Sequence, residues 1–433
     1  MSAQLAALLV TGLMFVFLAF GMHIGFAMAL AGFLGMLVMI SPDAALALLG
    51  QTVFETALNF ELSVIPLFVL MGFFATSAGL SGDLYSAFNT WWGGRRGGLG
   101  MATVGACGAF GAISGSSLAT AATMSQVALP EMRRYGYSDQ LATGVIAAGG
   151  TIGILIPPSV IMVLYGILTE TSIGDLFLAG VIPGILLVLL FLIVVWAVTI
   201  ARPSMGPPGD SSTAAEKRAA FRKVGGTLVL FAVVLGGIYL GVFTPTEAAG
   251  IGAVGAWLLG LLGGRMNRRT FMDALLDTVR TTAMIFTLLI GAIIFKNFMA
   301  LAQVPTMIEE MMAGLSLTPM GMMIVILLIY IVLGAVLDTL AMILLTIPVF
   351  FPLVVGLGFD PVWFGIVIVV VVELALITPP MGINVFVLKG MASDVPLMTI
   401  YKGVIPFVFA QVVLLVLLLL YSPLALWLPN TAS

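Results

Sequence analysis

Apolar runs of about twenty residues follow one another almost without pause along the 433-residue chain, and no other feature limits its folding so strongly. As an α-helix, a run of that length crosses a hydrocarbon core of roughly 30 Å. Inside such a core every backbone N–H and C=O must find a protein partner, so helices are the expected form. Composition agrees: 61% of residues are hydrophobic and 8% charged, against roughly 25% charged in soluble domains. The expected fold class is an all-α polytopic membrane protein. The stretch from Gln4 to Phe20 reads as a first span rather than a cleavable signal. The single cysteine, Cys107, excludes an internal disulfide framework, and the single histidine, His23, leaves no His-based metal site.

The basic residues set the topology. They cluster at Arg95–Arg96, Arg133–Arg134, between Arg202 and Lys223, and between Arg265 and Arg280. The positive-inside rule places these clusters in the cytoplasm. Connections around 41–59, 169–175, 243–247, 304–318 and 359–360 carry acids but no base and fall on the periplasmic side. Spans are expected near 4–20, 24–40, 62–81, 138–168, 178–200, 224–243, 247–263, 281–304, 361–389 and 404–424, about ten crossings with both termini periplasmic. Two apolar stretches do not fit as crossings. The stretch at about 97–132 has basic residues at both ends, and each limb is too short to span at about 15 residues, roughly 22 Å. It reads as a re-entrant helical hairpin entering from the cytoplasm and turning at 113–117. A second hairpin, about 319–358, enters from the periplasm and turns near 334–339.

These features recur at an offset of 222 residues. Pro130 matches Pro352, Gly136-Tyr137 matches Gly358-Phe359, and Pro157-Pro158 matches Pro379-Pro380. The run GVIP at Gly180 recurs at Gly403, one residue further on. The expected domains are a first inverted repeat (1–200), a polar cytoplasmic linker (201–223) and a second inverted repeat (224–433). Inverted repeats are a transporter signature, with substrate and ion sites at the repeat interface. They argue against a passive channel. The segments 81–96 and 265–280 look amphipathic and are expected to lie along the membrane surface, with Trp91-Trp92 as an interfacial anchor.

The chemistry is expected where the helices break. The segments 138–168 and 361–389 each hold a Pro-Pro pair, which removes backbone donors and frees carbonyls, so each should split into two half-helices. Freed carbonyls suit a small cation, and half-helix N-termini suit an anionic group. A first sodium site is expected from Ser114, Ser116, Ser117, Gly150, Thr151 and Pro157. A second is expected from Gly334, Asp338, Thr339, Thr378, Pro379 and Met381. Ser116, Ser159, Glu373 and Asn384 are placed in the substrate vicinity. Under the 222 offset Ser116 matches Asp338, Ser117 matches Thr339 and Thr151 matches Glu373. An oxygen-only donor set suits a hard cation. Ser, Thr and Gly at helix interfaces also serve plain close packing. The carboxylates Asp338 and Glu373 are costly in a membrane and are functional candidates by default, although Glu373 also fits a structural hydrogen-bonding role. Lys296 suits snorkelling or pairing with a neighbouring subunit, and the 26 methionines suit packing.

The runs GAISGSSLATAATMSQVALPEMRRYGY and TIGILIPPSVIMVLYG, with the second-half stretch from VLDTLAMILLTIPVFFP through VELALITPPMGINVFVLKG, carry a further signal. Across nearly the whole chain they resemble the large membrane subunit of TRAP (tripartite ATP-independent periplasmic) transporters. The resemblance implies sodium-driven import of an organic acid across a bacterial inner membrane. It implies an elevator-type protein similar to the ion-transporter superfamily. It implies two partners, a small four-helix membrane subunit and a soluble periplasmic substrate-binding protein. It places sodium at the hairpin tips and helix breaks, here 114–117 with 151–157 and 334–339 with 378–381. The sequence begins without a four-helix extension, so the small subunit is expected as a separate chain. No organic cofactor is expected. Two rivals are a stand-alone ion-coupled carboxylate transporter and, remotely, an intramembrane serine protease using Ser114. The protease would need a base, and His23 is expected at a helix end by the cytoplasmic surface.

Overall fold

The computed structural model describes residues 3–313, 317–334 and 337–432, and every regular element among them is helical. The first ten helices are α1 (Ala3–Ala19), α2 (Ile24–Met39), α3 (Pro42–Leu58), α4 (Val64–Ser77), α5 (Leu80–Trp92), α6 (Gly98–Ser114), α7 (Ser117–Arg134), α8 (Asp139–Leu155), α9 (Val160–Thr169) and α10 (Ile173–Ala201). Then follow α11 (Ala214–Tyr239), α12 (Pro245–Leu262), α13 (Arg268–Leu301), α14 (Val304–Ala313), α15 (Pro319–Leu333), α16 (Thr339–Gly356), α17 (Pro361–Ala375), α18 (Ile383–Met391), α19 (Leu397–Leu420) and α20 (Pro423–Ala432).

Local chemistry fixes the ends. Thr213 with Glu216, and Thr244 with Glu247, form reciprocal capping boxes at the starts of α11 and α12. Element boundaries recur at one spacing. α7 and α16 begin at Ser117 and Thr339, behind the N-caps Ser116 and Asp338. α8 and α17 follow the N-caps Ser138 and Asp360. Gly136 and Gly358, at matching positions before them, both take left-handed backbone (φ 77° and 84°), where only glycine is unstrained.

The helices pack as two groups. In one, α2 lies along α13, and α4 lies along α12 and α13. The approach of α2 to α13 is close enough that a Cβ on Gly32 would stand 2.9 Å from the Phe295 Cα. In the other group, α6, α7 and α19 pack on α8, while α15 and α16 pack on α17. On one surface Arg133 joins the halves of the chain, its Nε and Nη2 each 2.7 Å from Asp139 and Asp394.

Helix lengths alone do not fix the number of crossings, but several expected element bounds need correcting. Among the described residues seven helices are long and apolar enough to cross a membrane alone, or eight if α8 and α9 count as one span bent by 42°. Five further apolar helices have 15 to 17 residues (α1, α2, α6, α15 and α17). One of the seven long helices is α16, a limb of the second hairpin, and in the first hairpin α7 has 18 residues where about 15 were expected. The segment 265–280 is not a separate surface helix: from Arg268 it runs on as the first turns of the 34-residue α13. The linker is shorter than 201–223, since α11 starts at Ala214. Three stretches treated as connections or ends are helices: α3, α14 and α20. For α3 the cause is legible, since Ser41 accepts the Ala44 N–H and Pro42 opens the helix. Lys296 is exposed on α13 with no ion pair among the described residues.

Candidate functional site

The first hairpin turns within two residues. α6 ends at Ser114, Gly115 takes φ 62°, and Ser116 is extended and caps α7 by accepting the Ala119 N–H at 3.3 Å. Ser114 Oγ lies 2.9 Å from Thr120 Oγ1, which holds the tip across its own turn. The tip rests on the break in the neighbouring helix: a side chain at Gly115 would stand 3.3 Å from the Pro158 carbonyl. There α8 ends at Leu155, and α9 restarts behind Ser159, whose Oγ accepts the Met162 N–H at 3.4 Å. The Pro157-Pro158 and Pro379-Pro380 bonds at the two breaks are cis. Gly150 faces the start of α7, where a Cβ would lie 2.8 Å from the Ser117 carbonyl and 3.2 Å from Asn384 Nδ2.

The second hairpin is built alike. Gly334 ends α15, packed so closely on Ala375 that a Cβ would collide with it. Residues 335–336 of the expected tip lie outside the described residues. Asp338 caps α16, its Oδ1 accepting the Ala341 N–H at 2.8 Å. In the second break, 376–382, Thr378 donates to the Leu374 carbonyl at 2.6 Å and Gly382 (φ 57°) leads into α18. The Tyr401 hydroxyl stands 2.7 Å from the Pro380 carbonyl and 2.6 Å from the Met381 carbonyl and serves both. These freed carbonyls, expected as cation ligands, already have a donor. The Met381 side chain is exposed.

Both hairpin tips open on one cavity of about 280 Å3. Ser114, Ser116 and Ser117 line it from the first half, Asp338 and Thr339 from the second, and α4 and α13 close the opposite side. Ten expected residues do not line it. Gly150 and Asn384 lie behind Ser117, and the Asn384 Nδ2 donates to the Ala147 carbonyl at 3.2 Å, joining the halves. Thr151 is wholly buried and gives its hydroxyl proton to Ala148. Pro157 and Ser159 are buried in the first break, while Pro379 is exposed in the second. Gly334, Thr378 and Met381 are placed as described above.

Glu373 is the most telling of the ten. It is 2% exposed and sits beside the hydroxyls of Ser117 and Thr339, the first residues of the matching hairpin helices α7 and α16. Neither carboxyl oxygen makes a hydrogen bond of acceptable geometry. An unpaired charge at such a place would be costly. With the Asn384 Oδ1, which also lacks a partner, it leaves oxygen atoms at the meeting point of the halves still short of a proton or a cation. No cluster of three or more His, Cys, Asp or Glu exists among the described residues. The donor set is hydroxyl, carbonyl and single carboxylates, which matches a weakly held hard cation and no soft metal.

Four residues were not foreseen: Thr120, Tyr401, Thr76 and Thr281. Thr76 and Thr281 line the cavity from α4 and α13. A threonine pair, Thr281-Thr282, inside an apolar run was the available signal. His23 is exposed at the start of α2 and does not line the cavity, which leaves Ser114 without an imidazole base.

Comparison with known proteins gives the family. Residues 11–424 match the family described as the tripartite ATP-independent periplasmic transporter, DctM component. The C4-dicarboxylate TRAP transporter large permease protein DctM of Pseudomonas aeruginosa is 37% identical over 395 residues, covering 91% of this chain and 92% of that protein. The isethionate TRAP transporter permease protein DctMQ of Oleidesulfovibrio alaskensis is 34% identical over 374 residues, 86% of this chain and 58% of that protein. Among solved structures, the YdaH transporter of Alcanivorax borkumensis has the same fold, with a TM-score of 0.65 over 89% of this chain and 90% of that one at 18% identity. Such relatives are transport permeases, which removes the protease reading. This chain is a large permease subunit, a member of the DctM-component family of tripartite ATP-independent periplasmic transporters.

Proposed function

We propose that this permease imports an organic anion across a bacterial inner membrane with sodium, taking the anion from a soluble periplasmic binding protein. One observation carries the reading: the two hairpin tips, one from each half of the chain, open on a single cavity at the boundary between the two helix groups. α7 and α16 begin at that cavity: the α7 N-terminus, capped by neutral Ser116, favours an anion there, while the Asp338 carboxylate at the α16 N-terminus favours the cation. The nearby hydroxyls and break carbonyls favour a hard cation. Sodium and anion bound side by side neutralise each other, which is the electrostatic basis of co-transport in a low-dielectric site.

The helix group holding hairpins and broken helices is the moving body of an elevator, and α2, α4, α12 and α13 form its scaffold. The halves are inverted in the membrane, with about ten crossings and both termini periplasmic. Uptake also needs a small membrane component. The isethionate relative named DctMQ supports this, because 42% of its length lies outside the match and leaves room for a fused second component.

The test is reconstitution of the permease with its small subunit and binding protein in liposomes. Uptake of a labelled organic acid is expected only with the binding protein and an inward sodium gradient. A tenfold gradient supplies about 1.4 kcal/mol per ion. Equal uptake in choline, driven by a proton gradient alone, would contradict sodium coupling.

A further inference from the structure

We propose that the anion this cavity accepts is charged at one end only: a monocarboxylate with an apolar hydrocarbon body. The proposal rests on the carboxylate reading above and narrows it. The cavity is mostly apolar, with Leu118, Ile161, Leu340, Leu376 and Ile383 lining it from the hairpins and breaks, and its few charged and hydroxyl groups gather at the hairpin tips. On the hairpin side stand the hydroxyls of Ser116, Ser117 and Thr339 and the starts of α7 and α16. On the scaffold side stand Val69 and Phe73 of α4 and Met284 and Ile285 of α13. The polar atoms of that wall are two threonine hydroxyls, and Thr76 already donates its proton to the Gly72 carbonyl at 2.9 Å.

Among the described residues no lysine or arginine lines the cavity, and the one carboxylate that does, Asp338, is on the hairpin side. One carboxylate therefore finds the α7 N-terminus and a cation held beside Asp338, the α16 N-terminus being already taken by that carboxylate. A second carboxylate, reaching across, would be pressed against Phe73 and Met284 with no cation, and burying an unpaired charge is strongly unfavourable. A body of several hydroxyls fares little better, since the wall offers few partners. Methylene and aromatic carbon, by contrast, gain from leaving water against that wall. At about 280 Å3 the cavity lies just below the usual range of small-molecule pockets, about 300–1,000 Å3, which suits a small acid.

Isothermal titration of the purified permease tests this, with sodium chloride in one arm and choline chloride in the other. The probes are acetate, propanoate, butanoate, pentanoate and succinate. Butanoate and succinate have four carbons each and differ in the second carboxylate. The expected result is sodium-dependent binding that tightens about fourfold per methylene, the equivalent of ~0.8 kcal/mol, with succinate at least tenfold weaker than butanoate. Succinate binding as tightly as butanoate in sodium overturns the substrate class and leaves the sodium–carboxylate site standing. Absence of sodium-dependent binding for every probe overturns both. A gain-of-function variant adds an independent check: Met284→Lys places a cation on the apolar wall and is expected to shift the succinate-to-butanoate preference at least tenfold toward succinate. An unchanged preference would show that the wall does not face the substrate, and would overturn the proposal.

Discussion

The two Pro-Pro breaks stand at matching places in the chain and differ in how they are finished. The first, at 156–159, is closed: Pro157, Pro158 and Ser159 are buried, and Ser159 caps the half-helix that follows. The second, at 376–382, is open: Pro379 and Pro380 are exposed, Met381 is 47% exposed, and no side chain caps α18. Its carbonyls are held from outside by Tyr401. The same contrast appears at the joints before each hairpin. The α4–α5 joint at Gly79 (φ 67°) is fastened by Arg265, which donates to the Ala78 carbonyl at 3.0 Å and pairs with Asp83 at 2.7 Å. The α13–α14 joint at Gln303 (φ 54°) has no ion pair among the described residues. The first-half break and joint are held fast, the joint by Arg265 from the second half, and their second-half counterparts are left adjustable.

Packing gives the largest expected effects. In the first half Gly111 of α6 faces Gly153 of α8 so closely that a Cβ on either would strike the other's backbone. Gly111→Ala is expected to lower stability by about 3 kcal/mol, with no single change at Gly153 able to relieve it. In the second half the corresponding contact is Gly334 against the Ala375 Cβ. Gly334→Ala alone is expected to be similarly damaging, but Gly334→Ala with Ala375→Gly exchanges the methyl and should recover most of the loss. Thermal unfolding of the three variants decides this, and failure of the double variant to recover would remove the claim that the second contact is the adjustable one.

Capping gives the next effect. Ser159→Ala is expected to cost about 1 kcal/mol, whereas Met381→Ala at the matching break should stay within about 0.5 kcal/mol. Equal losses would mean that the breaks are equally ordered. Tyr401→Phe removes the donor from an exposed break where water can replace it. The expected loss is only about 0.5 kcal/mol, but the freed Pro380 and Met381 carbonyls should make the variant respond more strongly to sodium than the unaltered protein. A weaker response would show that Tyr401 helps hold the ion instead.

The smallest effect in the physiological range is that of pH on the fastened joint. Burial alone would raise the Asp83 carboxyl, but hydrogen bonds from Arg265 and Lys223 outweigh it and hold the pKa below the ordinary 3.8. A depressed folded-state pKa contributes stability that is complete above the unfolded value and lost as pH falls through the folded one. The Asp83→Asn variant is therefore expected to differ from the unaltered protein by a constant amount between pH 8 and pH 5. The difference should close only below about pH 3.8. A difference that changes near neutrality would point to another group.

Much of this was legible because the residues that shape it act locally. Pro-Pro pairs break helices wherever they lie, and Gly115 with Ser116 turns the first hairpin within the expected 113–117. The long α13 was misread because the amphipathic pattern at 265–280 suggested an end, yet Arg268 to Ile290 contains no proline or glycine to stop the helix. Thr151 was taken for a ligand by its repeat position, but a threonine inside a helix commonly bonds its own preceding turn, and here it does. Tyr401 could not be found from spacing, since it reaches the break from a helix that follows it in the chain. Asp338 was singled out for its charge, and the fold gives that charge a second task as the α16 N-cap.

That double task makes Asp338 the sharpest place to test the central claim, that the hairpin tips form a sodium site. The measurement is thermal unfolding of the purified permease, titrated with sodium chloride against choline chloride at fixed ionic strength. A ligand held only by the folded protein stabilises it by about 2.7 kcal/mol at a hundredfold excess over Kd. The account predicts a saturable, sodium-specific rise in Tm that Asp338→Asn weakens and Asp43→Asn, at a helix start far along the chain, leaves intact. Superimposable curves in the two salts, or a rise equally strong in Asp338→Asn, would contradict it.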